Sequence, residues 1–376
     1  MVVAAILALT RPLLMVHVMP WFSMNPPGWH WTMGKTDATK GELASHYRPL
    51  IGAYDSGDPD VIECQTLLMK IAGFDGMLVD WYGDRDRYDY LPNHRNTQKL
   101  FEAAGKTGLR FAVVYEDQTV PNLISGEVIK QDEAVREGRA LFERAAKAWF
   151  TSKTYLKLYG KPLVMVFGPQ YYKEADWATI LPPNVAFYTL HHQRGEAATG
   201  PYDWPLPGDN WKARREEIVK DNANLIPVAF PRFDDFYKEA GVGPGYGKIP
   251  DDEGRTYEAT LAEGIARGAP LVQVATWNDW GEGTQIEPSK EFGYRDLETT
   301  QRYRKRIYPK FSFTPADLRL PVRLYELRKR GDDRKRLDRA AELLRRGRTA
   351  EAGRILTGDA LSVRYLGAVS GVLNRA

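Results

Sequence analysis

The stretch Val272–Pro288, V-Q-V-A-T-W-N-D-W-G-E-G-T-Q-I-E-P, holds the residues best suited to chemistry. It opens in the apolar, largely β-branched run Leu271–Ala275, which has the length and composition of a buried strand. The run breaks at once into Trp277, Asn278, Asp279, Trp280, Gly281, Glu282 and Gly283. Two carboxylates three residues apart, flanked by indoles and loosened by glycines, thus sit where a strand runs out. Cleavage of a glycosidic bond needs one carboxyl group to protonate the leaving oxygen and another to act as base or nucleophile. Indole faces offer sugar rings a flat apolar surface. The purely structural alternative is a helix cap, with Asp279 at the N-cap and Glu282 as its capping-box partner.

Such a pair needs a scaffold, and the chain supplies a rhythm of strands and helices. Strands are expected over Leu13–Met19, Asp75–Tyr82, Leu109–Tyr115, Pro162–Phe167, Val185–Leu190, Pro201–Pro205, Leu225–Phe230 and Leu271–Ala275. Helices are expected over Pro59–Ala72, Asn96–Lys106, Asp132–Phe150, Ala175–Leu181, Trp211–Asn222 and Tyr257–Arg267. This alternation implies parallel strands with crossover connections. Neither G-x-G-x-x-G nor G-x-x-x-x-G-K-[ST] occurs, so a (β/α)8 TIM barrel fits better than an open nucleotide-binding sheet. Barrel chemistry gathers at the C-terminal ends of strands. Those ends carry Trp21, Asp80, Trp81, Tyr82, Glu116, His191, Trp204, Asp234, Asp279 and Glu282. With Trp31, Trp277, Asn278 and Trp280, they are the expected lining of a saccharide cleft. Glu116 has an ion pair with Arg85 or Arg87 as its rival role, and Asp234 and Asp235 have turn formation.

Bulk properties narrow the class further. The 376 residues carry 52 Lys and Arg against 49 Asp and Glu, a net charge of +3 that favours no polyanion, so no nucleic-acid partner is expected. Ten Trp and 20 Tyr suit a carbohydrate cleft, although large barrels also bury aromatic side chains. Cys64 is the single cysteine, which excludes an internal disulfide or thiolate zinc site. Adjacent His191 and His192 at a strand end point to opposite sides and do not easily share one ion. Asp55–Asp60 lacks the bidentate Glu of a calcium loop. No cofactor or metal is expected. Met1–Thr10 is apolar but too short to span a membrane and has no basic n-region. It reads either as the remnant of an export signal, favouring a periplasmic or extracellular location, or as a simple extension, in which case a cytoplasmic location is expected. The expected organisation is residues 1–12 as that extension, 13–315 as the barrel and 316–376 as a charged helical extension. Arg323–Arg348 holds 11 basic and five acidic residues, with Leu337, Ala340, Ala341 and Leu344 on one stripe. That is the pattern of a helical hairpin packed on the barrel.

W-N-D-W-G-E-G-T-Q-I-E-P resembles a signature shared by glycoside hydrolase families 71 and 99. Family 99, the endo-α-mannosidases and endo-α-mannanases, has W/F-N-E-W-H-E-G-T-Q-I-E, and family 71, the α-1,3-glucanases, has W-N-D-Y-G-E. Asp279 and Gly281 follow family 71, whereas Gly283–Glu287 follow family 99. Pro20-Trp21-Phe22, Trp29-His30-Trp31, His46–Ser56 and Gly73-Phe74-Asp75 are also similar to family 99, so the likeness runs from Met19 to Leu297. It implies hydrolysis of α-linked oligo- or polysaccharides, within chains. Glu282 would be the general acid/base. Asp279 would be the base assisting the substrate's 2-hydroxyl or, in an inverting reaction, activating water. The competing expectations are a glycan-binding barrel without turnover and a protein of polysaccharide assembly.

Overall fold

The computed structural model describes residues 11–357 apart from Ala223; Met1–Thr10 and the expected extension beyond Thr357 lie outside the described residues. Eight parallel strands, β1 (Leu13–Val18), β2 (Gly76–Trp81), β3 (Arg110–Tyr115), β4 (Lys161–Val166), β5 (Ala186–Leu190), β6 (Gly200–Tyr202), β7 (Val228–Ala229) and β8 (Leu271–Val274), run through a sheet whose ninth member, the short Lys157–Leu158, pairs antiparallel with β4. The spatial order of the eight is 6-5-4-3-2-1-8-7. A parallel bridge between Tyr202 and Ile226 closes the ring, with the Asp203 amide donating to Ile226 O at 3.1 Å. The protein is a (β/α)8 barrel. Leu14, Val16, Leu78, Val113, Val164 and Val272 are fully or almost fully buried, as strands covered on both faces must be. Gly76 lets β2 approach β3, since a Cβ there would stand 2.2 Å from Arg110 O.

Between these strands lie α1 (Pro59–Ala72), α2 (Tyr90–Thr107), α3 (Ala134–Ala145), α4 (Trp177–Ile180), α5 (Trp211–Asp221), α6 (Arg255–Ala266) and, after β8, α7 (Arg295–Ile307). Helix α1 has the expected bounds because its signals agree: Asp58 caps the amide of Asp60, Pro59 needs no donor in the first turn, and Gly73 ends it at φ 100. Helix α2 begins six residues before the expected Asn96. Pro92 reads as a breaker, but a proline in the first turn removes only an amide that has no intrahelical partner anyway. β7 is shorter than expected because the chain around it turns early into the segment that supports the site.

Beyond the barrel, α8 (Arg319–Arg330), α9 (Arg334–Arg345) and α10 (Thr349–Thr357) pack together, burying Leu324, Leu327, Leu337, Ala340, Ala341, Leu344 and Leu356. Arg328 and Arg345 both reach Glu63 on α1 at 2.8 Å, so much of the basic excess is spent on ion pairs with acidic side chains. No described helix is long and apolar enough to cross a membrane.

Candidate active site

Past β8 the chain folds back on itself. The Thr276 amide donates to Thr284 O at 3.0 Å, the two threonine hydroxyls meet at 2.9 Å, and the Ile286 amide returns to Thr276 O at 3.0 Å. Inside this loop the Asp279 amide donates to Thr276 Oγ1 at 2.8 Å, and Asp279 Oδ1 accepts from the Glu282 amide at 3.0 Å. The capping-type contact between Asp279 and Glu282 is therefore present, yet no helix follows it. The backbone of the β7 loop seals the other side: the amides of Asp234 and Phe236 donate to Glu282 O and Gly281 O, each at 2.9 Å. Gly283, at φ +69, permits that approach, because a Cβ there would lie 2.6 Å from Asp234 O.

Three further carboxylates are close enough to perturb Asp279 or one another. Asp80 ends β2, Glu116 follows β3, and Glu282 is partly exposed three residues beyond Asp279. No Lys, Arg or His among the described residues forms an ion pair with any of the four. Among the described residues no ordinary donor reaches either carboxyl oxygen of Asp80, which lies within hydrogen-bond reach of the Glu116 carboxyl, and Glu116 accepts from the Gln118 amide. The rival pairing of Glu116 with Arg85 is not made; Arg85 pairs with Glu137. Burial pushes Asp279 up to about 7, helped by the charge of Glu116 and opposed by the Glu282 amide. Glu282 is raised well above the carboxylate range, by burial first and then by the charges of Asp279 and Asp235. Asp80 is raised well above it by burial and the charge of Glu116. Like charges packed together without cations cannot all ionise, so part of the set holds protons at neutral pH.

A cleft of about 820 Å³ opens beside Glu116, lined by Trp21, Trp29, His30, Tyr82, Tyr88 and Asn122 among others. Trp21 lies flat on His30, with ring centroids 4.2 Å apart and planes at 11°, and His30 is held by Asp89 at 3.1 Å. On the opposite flank, the Tyr237 hydroxyl donates to Glu282 Oε1 at 3.4 Å.

No family model matches the chain. It is 25% identical over 279 residues to a glycoprotein endo-alpha-1,2-mannosidase-like protein of Danio rerio, covering 65% of this chain and 60% of that one. To the glycoprotein endo-alpha-1,2-mannosidase of Mus musculus it is 21% identical over 281 residues, covering 65% and 57%. The solved family 99 endo-alpha-mannosidase of Bacteroides thetaiotaomicron shares the fold at a TM-score of 0.58 and 20% identity, covering 79% of this chain and 97% of that one. The chain is similar to family 99 endo-alpha-mannosidases. It spans about 60% of the length of the curated relatives it matches.

Within this family 99-like barrel, several residues expected to touch sugar do not reach the cleft. Trp277 and Trp280 are fully buried; the Trp280 indole donates to Glu287 Oε2 at 3.2 Å. Asn278 grips the Met19 peptide, accepting from its amide at 2.8 Å and donating to its carbonyl at 2.9 Å and to Tyr54 Oη at 3.0 Å. Trp31 is buried against Phe22 and donates to Tyr54 O at 2.9 Å. Trp81 packs on Phe142 and Trp149 outside the strand ring, because the side chain after inward-facing Asp80 must point to the other side. Trp204 sits edge-on to His17, nearly buried. Asp234 accepts from the Tyr47 hydroxyl at 3.3 Å and pairs with Lys248 at 2.8 Å, a structural duty. His191 lies 3.7 Å from Asp203 and makes no contact with the four carboxylates among the described residues.

Trp21, Tyr82 and Glu116 do line the cleft, and Asp80, Asp279 and Glu282 do cluster. Sequence reasoning missed Trp29, His30, Tyr88, Asn122 and Tyr237. The Trp29-His30 pair carried a signal in its proline- and glycine-rich setting; Tyr237 carried none. Glu287 was overlooked as a support: it accepts from Tyr54 at 2.7 Å and Gln65 at 2.8 Å, tying Trp280 and Tyr54, and through Tyr54 also Asn278, into one network. Among the described residues, no group of three or more His, Cys, Asp or Glu is placed to share a metal ion.

Proposed function

We propose that this protein is a glycoside hydrolase that cleaves α-linked glycans of the mannan or glucan type within the chain. The observation that carries the reading is the placement of Asp279 and Glu282: two adjoining carboxyl groups on the β8 loop, linked by the Glu282 amide on Asp279 Oδ1, with no cation paired to either among the described residues and with both proton affinities raised by burial. Of the two, Glu282 is the partly exposed one and is met by the Tyr237 hydroxyl, which suits it to the acid role and leaves the base role to Asp279. In this reading Glu282, whose proton affinity is raised by burial, gives its proton to the leaving glycosidic oxygen as the C–O bond breaks. Asp279, charged in a large fraction of molecules near pH 7, takes a proton from the group that attacks the anomeric carbon. That group is water or the substrate's own 2-hydroxyl. Asp279 is one methylene shorter than the glutamate of the family 99 signature, which leaves more room for water.

The test is product analysis of the purified chain on a panel of α-linked mannans, glucans and their oligosaccharides, with anomer-resolved NMR. Shortened chains with an inverted anomer indicate attack by water; retention indicates the 2-hydroxyl. Asp279→Asn and Glu282→Gln should each lower turnover by roughly 10²–10⁴-fold while oligosaccharide affinity persists. Binding without turnover at any pH would replace this reading with a glycan-binding barrel.

A further inference from the structure

Tyr246 is 66% exposed in the loop Gly241-Val242-Gly243-Pro244-Gly245-Tyr246-Gly247, after β7. Where the ring leaves this loop, the backbone is pinned. The Asp235 carboxylate accepts from the Tyr246 amide at 2.8 Å and from the Tyr237 amide at 3.2 Å. Gly245, at φ +76, lies so close that a Cβ would stand 3.0 Å from Asp235 Oδ1. The Tyr246 ring meets Tyr237 edge-on, with centroids 5.7 Å apart and planes at 86°. Tyr237 in turn touches Glu282 Oε1. An exposed aromatic ring is thus fixed one side chain away from Glu282.

Its position in the ring of strands gives the exposure meaning. Trp21, Tyr82 and Glu116 follow β1, β2 and β3, whereas Tyr246 follows β7, which lies four places from β3. The carboxylates of the β8 loop stand between the two groups. Tyr159 makes a useful contrast: it is 71% exposed, but it precedes β4 and therefore lies at the opposite end of the barrel.

We propose that the Tyr246 ring is a sugar-binding platform on the far side of Glu282 from the Trp21 cleft. A glycan then crosses the carboxylates and is held on both flanks, which rests on the hydrolase reading above and adds a subsite to it. A tyrosine is well suited to this role, since it offers a large amphipathic face and only two torsions must be ordered when a sugar settles on it. Asp235 couples the platform to the chemistry, because the carboxylate that pins the loop also helps hold the proton on Glu282.

Linear α-linked manno- and gluco-oligosaccharides of two to five residues, used with the full chain, test this by hydrolysis kinetics and by calorimetric binding. Tyr246→Ala should lower kcat/KM roughly tenfold more for the tetrasaccharide than for the disaccharide, the scale of one aromatic contact. Tyr246→Phe should restore most of it, and Tyr159→Ala should behave as wild type. Cleavage with Tyr246→Ala equal to wild type at every length, or weakened equally at every length, overturns the platform and leaves the hydrolase reading standing. Length-dependent binding lost in Tyr246→Ala, without any cleavage, supports the platform and overturns the hydrolase reading. Oligosaccharides neither bound nor cut overturn both.

Discussion

Strand β2 has an aspartate at each end, and the two are treated in opposite ways. Asp75, just before its start, meets Arg11 at 3.2 Å and Arg304 at 2.5 Å, and accepts from the Leu14 amide at 2.9 Å. Asp80, near its end, is buried beside Glu116 and Asp279, with the Glu116 carboxyl for a neighbour and no cation or ordinary donor among the described residues. The same side chain is a tie at one end of the barrel and an uncompensated charge site at the other. Nearby, Arg232 is buried against Asp251 at 2.9 Å and Asp296 at 3.2 Å and donates to Gln285 O at 2.6 Å, so pairing is available even next to the β8 loop. The bare carboxylates at the mouth are therefore a local arrangement rather than a shortage of cations. A barrel that secures its N-terminal face and leaves its C-terminal face strained divides stability from chemistry.

The contrast can be broken most forcefully at the mouth. Glu282→Gln should remove roughly 10²–10⁴-fold of turnover, read as kcat on any oligosaccharide the wild type cleaves, while circular dichroism and Tm stay at wild-type values or rise. At the other end, Arg304→Ala should cost about 1–3 kcal/mol in denaturant unfolding, since it removes one of the two arginines that hold Asp75, yet leave kcat per folded molecule unchanged. An equal loss of activity would erase the distinction between the faces.

Smaller effects sharpen it. Asp279 has its proton affinity raised in the folded state, so it favours folding below its unfolded value near 4, and that contribution is lost as pH rises through about 7. Asp279→Asn should accordingly raise stability on the order of 2 kcal/mol at pH 8 and much less at pH 4, a difference that thermal melts at the two pH values measure. Asp80→Asn should stabilise in the same direction. Trp21→Ala should raise KM several-fold with Tm little changed, whereas buried Trp31→Ala should cost about 3–5 kcal/mol of stability.

How far the sequence foretold this depends on what each signal encodes. Apolar runs such as Leu13–Val18 and Leu271–Val274 announced strands because burial on both faces dictates composition. The cluster of Asp80, Glu116, Asp279 and Glu282 was foreshadowed by acidic residues at strand ends, although Asp234, read the same way, serves Tyr47 and Lys248 instead. The indoles divide: Trp21 lines the cleft, whereas Trp31, Trp277 and Trp280 are buried. Tryptophan serves equally as a wall behind a site and as its surface, and only the third dimension separates Trp280, hydrogen-bonded to Glu287, from Trp21, open to the cleft. Trp81 was the exception, since alternation along β2 places it on the face away from Asp80. Tyr237 reaches Glu282 from a different loop across 45 residues, a pairing that no local pattern carries.

The most direct test is a carbon-13 NMR titration of the carboxyl groups in the intact chain, with Asp279→Asn and Glu282→Gln to assign the signals. One carboxyl should titrate near pH 7 and vanish in Asp279→Asn, and another should titrate well above the ordinary glutamate value and vanish in Glu282→Gln. If both instead titrate near pH 4, these carboxylates carry no shared strain, and the barrel mouth is not a proton-transfer site.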